Sequence, residues 1–411
     1  MKVIRITVSG LPLFDTELDI NFLTESRVTI DERHELIHLF KNFYLNRTLT
    51  FTGLNASGKT QILNILAFSL KLLQAEHINY RPTIEINSTL DFNVLNIGEN
   101  DEVTITIYFY QDNKLYKLQS KIVREQDSAT GLTKYKISSE RLQIKKSVNI
   151  RAKKDIFDFT NSNVIEDAVR NDSDDLYLAL SNDVSMIQIY YKQKKIDKIF
   201  YSDLLSYTNF NVISGFGNNI PKELVEFLDP SIEKIEFEKN VIQKDIRVII
   251  TFKNSSTSII LNSITDLNTV LSSGTVKGIG LFMHAMMTLA QGGIIIVDEL
   301  ENHFNREIAA TLVRWFLDRN INQNNAILIY STHYAELLDI LERNDAIYIT
   351  NKTNNIGIDR LSNVLKRNDI RRSAHFINGL LSNTTPSYSS ENNLRKFMVS
   401  KFLTNEEDVK E

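Results

Sequence analysis

The 411-residue chain has no cysteine. That excludes disulfides, thiolate-bound zinc and a cysteine nucleophile, and it suits a reducing interior. No run of eighteen or more apolar residues occurs, so nothing reads as a membrane span and no membrane partner is expected. The start, MKVIRITV, alternates like a strand and has no signal-peptide core, so a cytoplasmic location is expected. Neither a fixed-period repeat nor a sustained heptad is present, which excludes a long coiled-coil arm. Charge of either sign is not in large excess. A formal net charge of −4 argues against a uniformly basic coat while leaving room for a local basic groove. Length alone suggests two or three domains or lobes.

What is present centres on residues 48–60, TLTFTGLNASGKT. A short strand runs into G-x-x-x-x-G-K-T, and an apolar helix follows from Gln61 to about Leu73. Gly53 and Gly58 let the backbone turn back with its N–H groups pointing inward, where a side chain would block a phosphate. The loop residues Asn55, Ala56 and Ser57 and the helix start Lys59, Thr60 and Gln61 complete an anion cradle. Lys59 supplies charge for β- and γ-phosphates, and the Thr60 hydroxyl is placed to ligate Mg²⁺. ATP with Mg²⁺ is the expected ligand. The helix is apolar nearly all round, as one packed on a central sheet would be.

Three further stretches fit the same chemistry. Leu271 to Thr275 reads LSSGT before an apolar helix from about Val276 to Ala290. Ser272 and Ser273 are natural N-caps, and with Gly274 they form either a second anion cradle or an ordinary capped helix start. Ile294 to Val297 reads IIIV, a strand buried on both faces and hence part of a parallel sheet. It ends in Asp298 and Glu299, at the crevice where open α/β sheets bind ligands. Asp298 is suited to the Mg²⁺ shell, and Glu299 to orienting or deprotonating an attacking water. Ala326 to Tyr330 is another buried strand, ending in Ser331, Thr332 and His333. An imidazole there can hydrogen-bond a γ-phosphate. Trp315, the only tryptophan, lies on the intervening helix and reads as core. The other histidines (His34, His38, His77, His284, His303 and His375) show no metal spacing with carboxylates.

Elsewhere the text is less specific. Lys2–Ser9 and Glu17–Phe22 read as strands, and a short helix is expected around Glu32 to Phe43. Residues 102–109, 115–123 and 135–142 look like an antiparallel meander, with a turn at 127–131. Residues 145–225 read as an insertion of mostly short helices with two basic clusters. These are Lys145, Lys146, Arg151, Lys153 and Lys154, then Lys192, Lys194, Lys195 and Lys198. A solvated lysine-rich face is the plainer reading, because only Tyr190 and Tyr191 interleave; the alternative is contact with a DNA backbone. A short helix at Pro221–Asp229 and strands at 232–237, 246–252 and 257–261 follow. The expected organisation is 1–75, first half of the nucleotide-binding head; 76–144, antiparallel β-subdomain; 145–225, inserted helical region; 226–350, second half of the head; and 351–411, an extension with a disordered tail.

In this order the motifs resemble the ABC-type ATPases of the SMC, RecF, Rad50 and OLD group. Gly53–Thr60 matches Walker A, Leu271–Gly274 the signature, and Ile294–Glu299 Walker B with its catalytic glutamate. Glu301–Asn305 resembles the D-loop, and Ser331–His333 the H-switch. The resemblance covers residues 1–75 and about 225–350. It implies an α/β fold: a P-loop NTPase ABC-ATPase head, mixed central sheet plus antiparallel β-subdomain. It also implies ATP hydrolysis with Glu299 and His333 catalytic, and two ATPs sandwiched between two copies, Ser273 contacting the γ-phosphate in trans. Two departures stand out: the Q-loop glutamine is open among Gln111, Gln119 and Gln143, and the signature helix carries Lys277. The text from Arg367 to Tyr388 resembles the C-terminal segment of stand-alone AAA-type ATPases of bacterial anti-phage systems of the PARIS or AbiL type. That implies regulation of a partner effector such as a TOPRIM-like nuclease. A RecF-like head that clamps DNA, and a nucleotide-gated scaffold, are the alternatives.

Overall fold

A computed structural model describes residues 1–79, 93–98, 101–126, 133–160, 163–170, 177, 179–205, 220–239, 246–255, 257–302, 304–365, 371–377 and 388–407. The turn expected at 127–131, His303 and most of the stretch from 367 to 388 lie outside these residues.

The first half of the chain contributes β1 (Lys2–Ser9), β2 (Leu18–Asn21), β3 (Leu36–Phe40), β4 (Phe43–Asn46), β5 (Thr48–Thr52), β6 (Glu102–Gln111), β7 (Lys114–Gln126), β8 (Thr133–Lys146) and β9 (Val164–Val169). The second half contributes β10 (Tyr201–Asp203), β11 (Ile232–Lys239), β12 (Ile246–Phe252), β13 (Ile259–Leu261), β14 (Ile294–Val297), β15 (Ile327–Thr332), β16 (Ile347–Lys352) and β17 (Ile356–Arg360). A central sheet runs β10-β14-β15-β5-β16-β17, parallel except for β17. A second sheet, β2-β1-β6-β7-β8-β9, is antiparallel throughout.

Alternation explains how the central sheet divides two cores. Leu49, Phe51, Ile294, Ile296, Ile327 and Ile329 face the core shared with the antiparallel sheet. The helix Lys59–Gln74 is buried in that core, which is why its apolar positions wrap most of its circumference. Ile295, Val297, Leu328 and Tyr330 face the opposite core, with the helices Ser273–Gln291 and Arg306–Leu317. Trp315 meets Phe282 edge-on there, at 5.0 Å between centroids. Phe51 is fully buried and stacks on Tyr348 at 5.2 Å. Truncating it to alanine costs about 3–5 kcal/mol.

Two expectations are corrected. The helix expected from Glu32 to Phe43 is a single turn, Asp31–Glu35, followed by the β3–β4 hairpin. Lys41, in a left-handed conformation, turns the chain between Phe40 and Phe43, and apolar side chains flanking the turn pack into the core. The described part of 145–225 is also not simply helical. Short helices at Lys153–Phe157 and Ile187–Lys192 are joined by β9, which extends the antiparallel sheet, and by β10, which edges the central one. Edge strands bury one face only, so they lack the apolar runs that reveal central strands.

Charged groups tie the early loop to the strands near the C-terminal end of the described chain. Arg343 pairs with Glu32 at 2.8 Å and Asp345 at 2.5 Å, and Arg360 with Glu25 at 2.8 Å. Beside them, ligand atoms of His34, Glu35 and Glu342 come within 4.8 Å of one another, a proximity invisible in sequence spacing. Burial, then the Glu342 charge, pushes the Glu35 carboxyl up to about 7. In the unfolded chain it ionises near ~4.3. The folded form therefore holds the extra proton, and this stabilisation, full below about pH 4, is lost as pH rises towards 7. Glu35→Gln is expected to raise stability at pH 8 by on the order of 1–2 kcal/mol and to change little at pH 4. Thermal melts at the two pH values check this; equal shifts at both would refute it.

Candidate active site

The parallel register sets the ends of three strands side by side. Val297 in β14 pairs with Tyr330 in β15, and Thr332 in β15 pairs with Thr52 in β5. Gly53, Asp298 and His333 follow directly, so residues up to 280 positions apart emerge at one edge.

The glycine loop is tightly walled. Gly53 has φ +154°, and a Cβ on it would stand 2.3 Å from the Thr350 carbonyl oxygen. Gly58 has φ +101°, and its Cβ would meet the Ile356 side chain at 2.7 Å. The β16–β17 hairpin is therefore the floor on which the loop rests. The Thr350 hydroxyl donates to Thr52 O at 3.2 Å, so in its 2.5 Å contact with Ser57 it is Ser57 that donates. Asn55 and Ala56 form the exposed crest, with Ala56 left-handed at φ +62°. Gln61 donates to Val94 O.

Lys59 folds beneath its own loop, its Nζ donating to Gly53 O at 3.0 Å and Leu54 O at 2.9 Å. Burial lowers its pKa, opposed by the charges of Asp298, Glu299 and Glu301. Thr60 Oγ1 donates to Asp298 Oδ2 at 2.6 Å. Ser331 donates to the other Asp298 oxygen and accepts the Glu299 N–H at 2.7 Å. The next N–H, of Leu300, donates to Ser331 O at 3.0 Å. These bonds hold Glu299 left-handed at φ +46°, a conformation costing a non-glycine residue about 1–3 kcal/mol. Strain of this kind persists where the surroundings over-determine the backbone. The Glu299 carboxylate, 49% exposed, stands 3.9 Å from Nε2 of His333, 33% exposed. The His333 N–H donates to Glu301 Oε1. A hydroxyl and a carboxylate converging, Thr60 with Asp298, are the hard oxygen donors that suit Mg²⁺, which keeps several of its waters.

The Ser272–Gly274 turn is built as a capped helix start. Ser272 is exposed and its Oγ accepts the Thr275 N–H at 3.0 Å, while Ser273 and Gly274 are half-buried. One turn on, burial lowers the Lys277 pKa and the Glu299 charge opposes that shift. Of the three Q-loop candidates, Gln111 bonds Asp112 and Asp197, Gln143 bonds Asp167, and Gln119 lies within β7. The first basic cluster turns partly inward. Lys145 donates to Asp155 O and Asp158 O at 2.5 Å, and Lys153 to Glu25 O at 2.6 Å. Lys195 and Lys198 lie over the rings of Tyr190 and Tyr191.

A glycine loop joining a parallel strand to a buried helix, with an acid at the end of a neighbouring parallel strand, defines a P-loop nucleoside triphosphatase fold. Residues 49–339 match the family described as "AAA domain, putative AbiEii toxin, Type IV TA system". The match spans more than two thirds of the chain, which belongs to this AAA/P-loop ATPase family. No curated protein matches it.

Gly53→Ala sets a methyl against backbone that cannot yield. It is expected to destabilise the chain by about 1–3 kcal/mol and to abolish ATP binding. Calorimetry and fluorescent-nucleotide titration check both, and wild-type affinity in this variant would show that the loop does not need its floor.

Proposed function

We propose that the chain is an ABC-type ATPase that binds and hydrolyses ATP and closes with a second copy around the nucleotide. The supporting observation is the hydrogen-bonded series Thr60–Asp298–Ser331–Glu299, which joins the glycine loop to a strained, solvent-facing carboxylate. On nucleotide binding, Lys59 exchanges its two carbonyl partners for the β- and γ-phosphates. Glu299 orients and deprotonates the attacking water, beside His333 at the γ-phosphate. Thr60 and Asp298 would hold Mg²⁺, which would neutralise phosphate charge. The turn Ser272, Ser273 and Gly274 of one copy presents N–H groups and hydroxyls to the nucleotide of the other.

For the biological setting, the support is the family description, which names a Type IV TA system. We read the ATPase as the regulatory half of an anti-phage pair, holding or releasing an effector such as a TOPRIM-like nuclease. The inward turn of Lys145 and Lys153 takes two of the five residues of the first basic cluster out of a phosphate track, which sets the DNA-clamp reading second.

Lys59→Ala is expected to abolish ATP binding. Glu299→Gln is expected to bind ATP, to hydrolyse it about 100-fold more slowly, and to accumulate as a dimer with ATP. Phosphate release and light scattering after gel filtration measure this. Unimpaired turnover in Glu299→Gln would remove Glu299 from its role.

A further inference from the structure

Glu301 Oε2, behind the site, is a buried carboxylate oxygen with no hydrogen-bond partner among the described residues. Glu301 is only 8% exposed. An isolated buried polar atom is costly, and native interiors satisfy such groups with protein or with ordered water.

The other Glu301 oxygen accepts the backbone N–H of His333, where β15 ends and the imidazole turns towards Glu299. We propose that Glu301 is a positioning residue for the His333–Glu299 pair, acting through its bond to the His333 backbone N–H. The catalytic consequence rests on the ATPase reading above; the structural claim does not.

The test separates the two. In hydrogen exchange of the full chain without nucleotide, Glu301→Ala is expected to lose protection at the His333 amide, whereas Glu301→Gln keeps an acceptor oxygen and retains it. Unchanged protection in Glu301→Ala overturns the proposal whether or not the chain hydrolyses ATP. In turnover assays Glu301→Ala is expected to lower kcat at least tenfold with KM for ATP within about twofold, and Glu301→Gln to restore most of kcat. Equal losses in kcat and ATP affinity, or no rescue by glutamine, reduce Glu301 to a packing role and sink the idea. Wild-type chain that binds but never hydrolyses ATP ends the ATPase reading instead, and leaves the exchange result standing.

Discussion

One buried carboxylate decides the arrangement of the site. Asp298 sits at the end of a strand whose four residues are all buried, where an ionised group is tolerated only with close partners. Both its oxygens accept hydroxyl hydrogens, one from the helix after the glycine loop and one from the neighbouring strand. Hydrogen bonds to an ionised acceptor are roughly twice as strong as neutral ones. The pair therefore pins β14, β15 and the P-loop helix to one point. The left-handed Glu299 hangs from the same hydroxyl that steadies Asp298. Removing either hydroxyl loosens two functional elements at once.

Legibility in the sequence followed how local each signal was. The glycine loop, the IIIV strand and the strand before Ser331 declare themselves within a dozen residues, because a strand covered on both faces must be continuously apolar. Gly53–Gln61, Asp298, Glu299 and His333 were readable for that reason, and the structure gathers them along one sheet edge. The roles of Ser331, Thr350 and Glu301 were not readable. Each acts through a side-chain bond to a partner distant in sequence, such as Ser57 with Thr350. Ser331 sits within a readable motif, but its partner Asp298 lies 33 positions away. The β3–β4 hairpin is hard to read because a two-residue turn without glycine or proline leaves little mark, and β10 because three residues carry no period.

The two sheets share one buried helix, Lys59–Gln74. Its first residues line the candidate site, and its remaining length is core to both sheets. An amphipathic surface helix rocks at small cost, whereas one packed on most of its circumference moves only with its neighbours. Displacement at Thr60 is thereby felt by the antiparallel sheet, and the charged network of Arg343 and Arg360 anchors the early loop against the far edge of the central one.

The family match closes at residue 339, beyond the last recognised motif but ahead of β16. Yet Thr350 and Ile356 form the floor under both glycines of the loop. A fragment trimmed to the family boundary would carry every signature by which such enzymes are recognised and still lack the wall that shapes its phosphate cradle. The unit that shapes the cradle extends through β17, some twenty residues past the end of the family match.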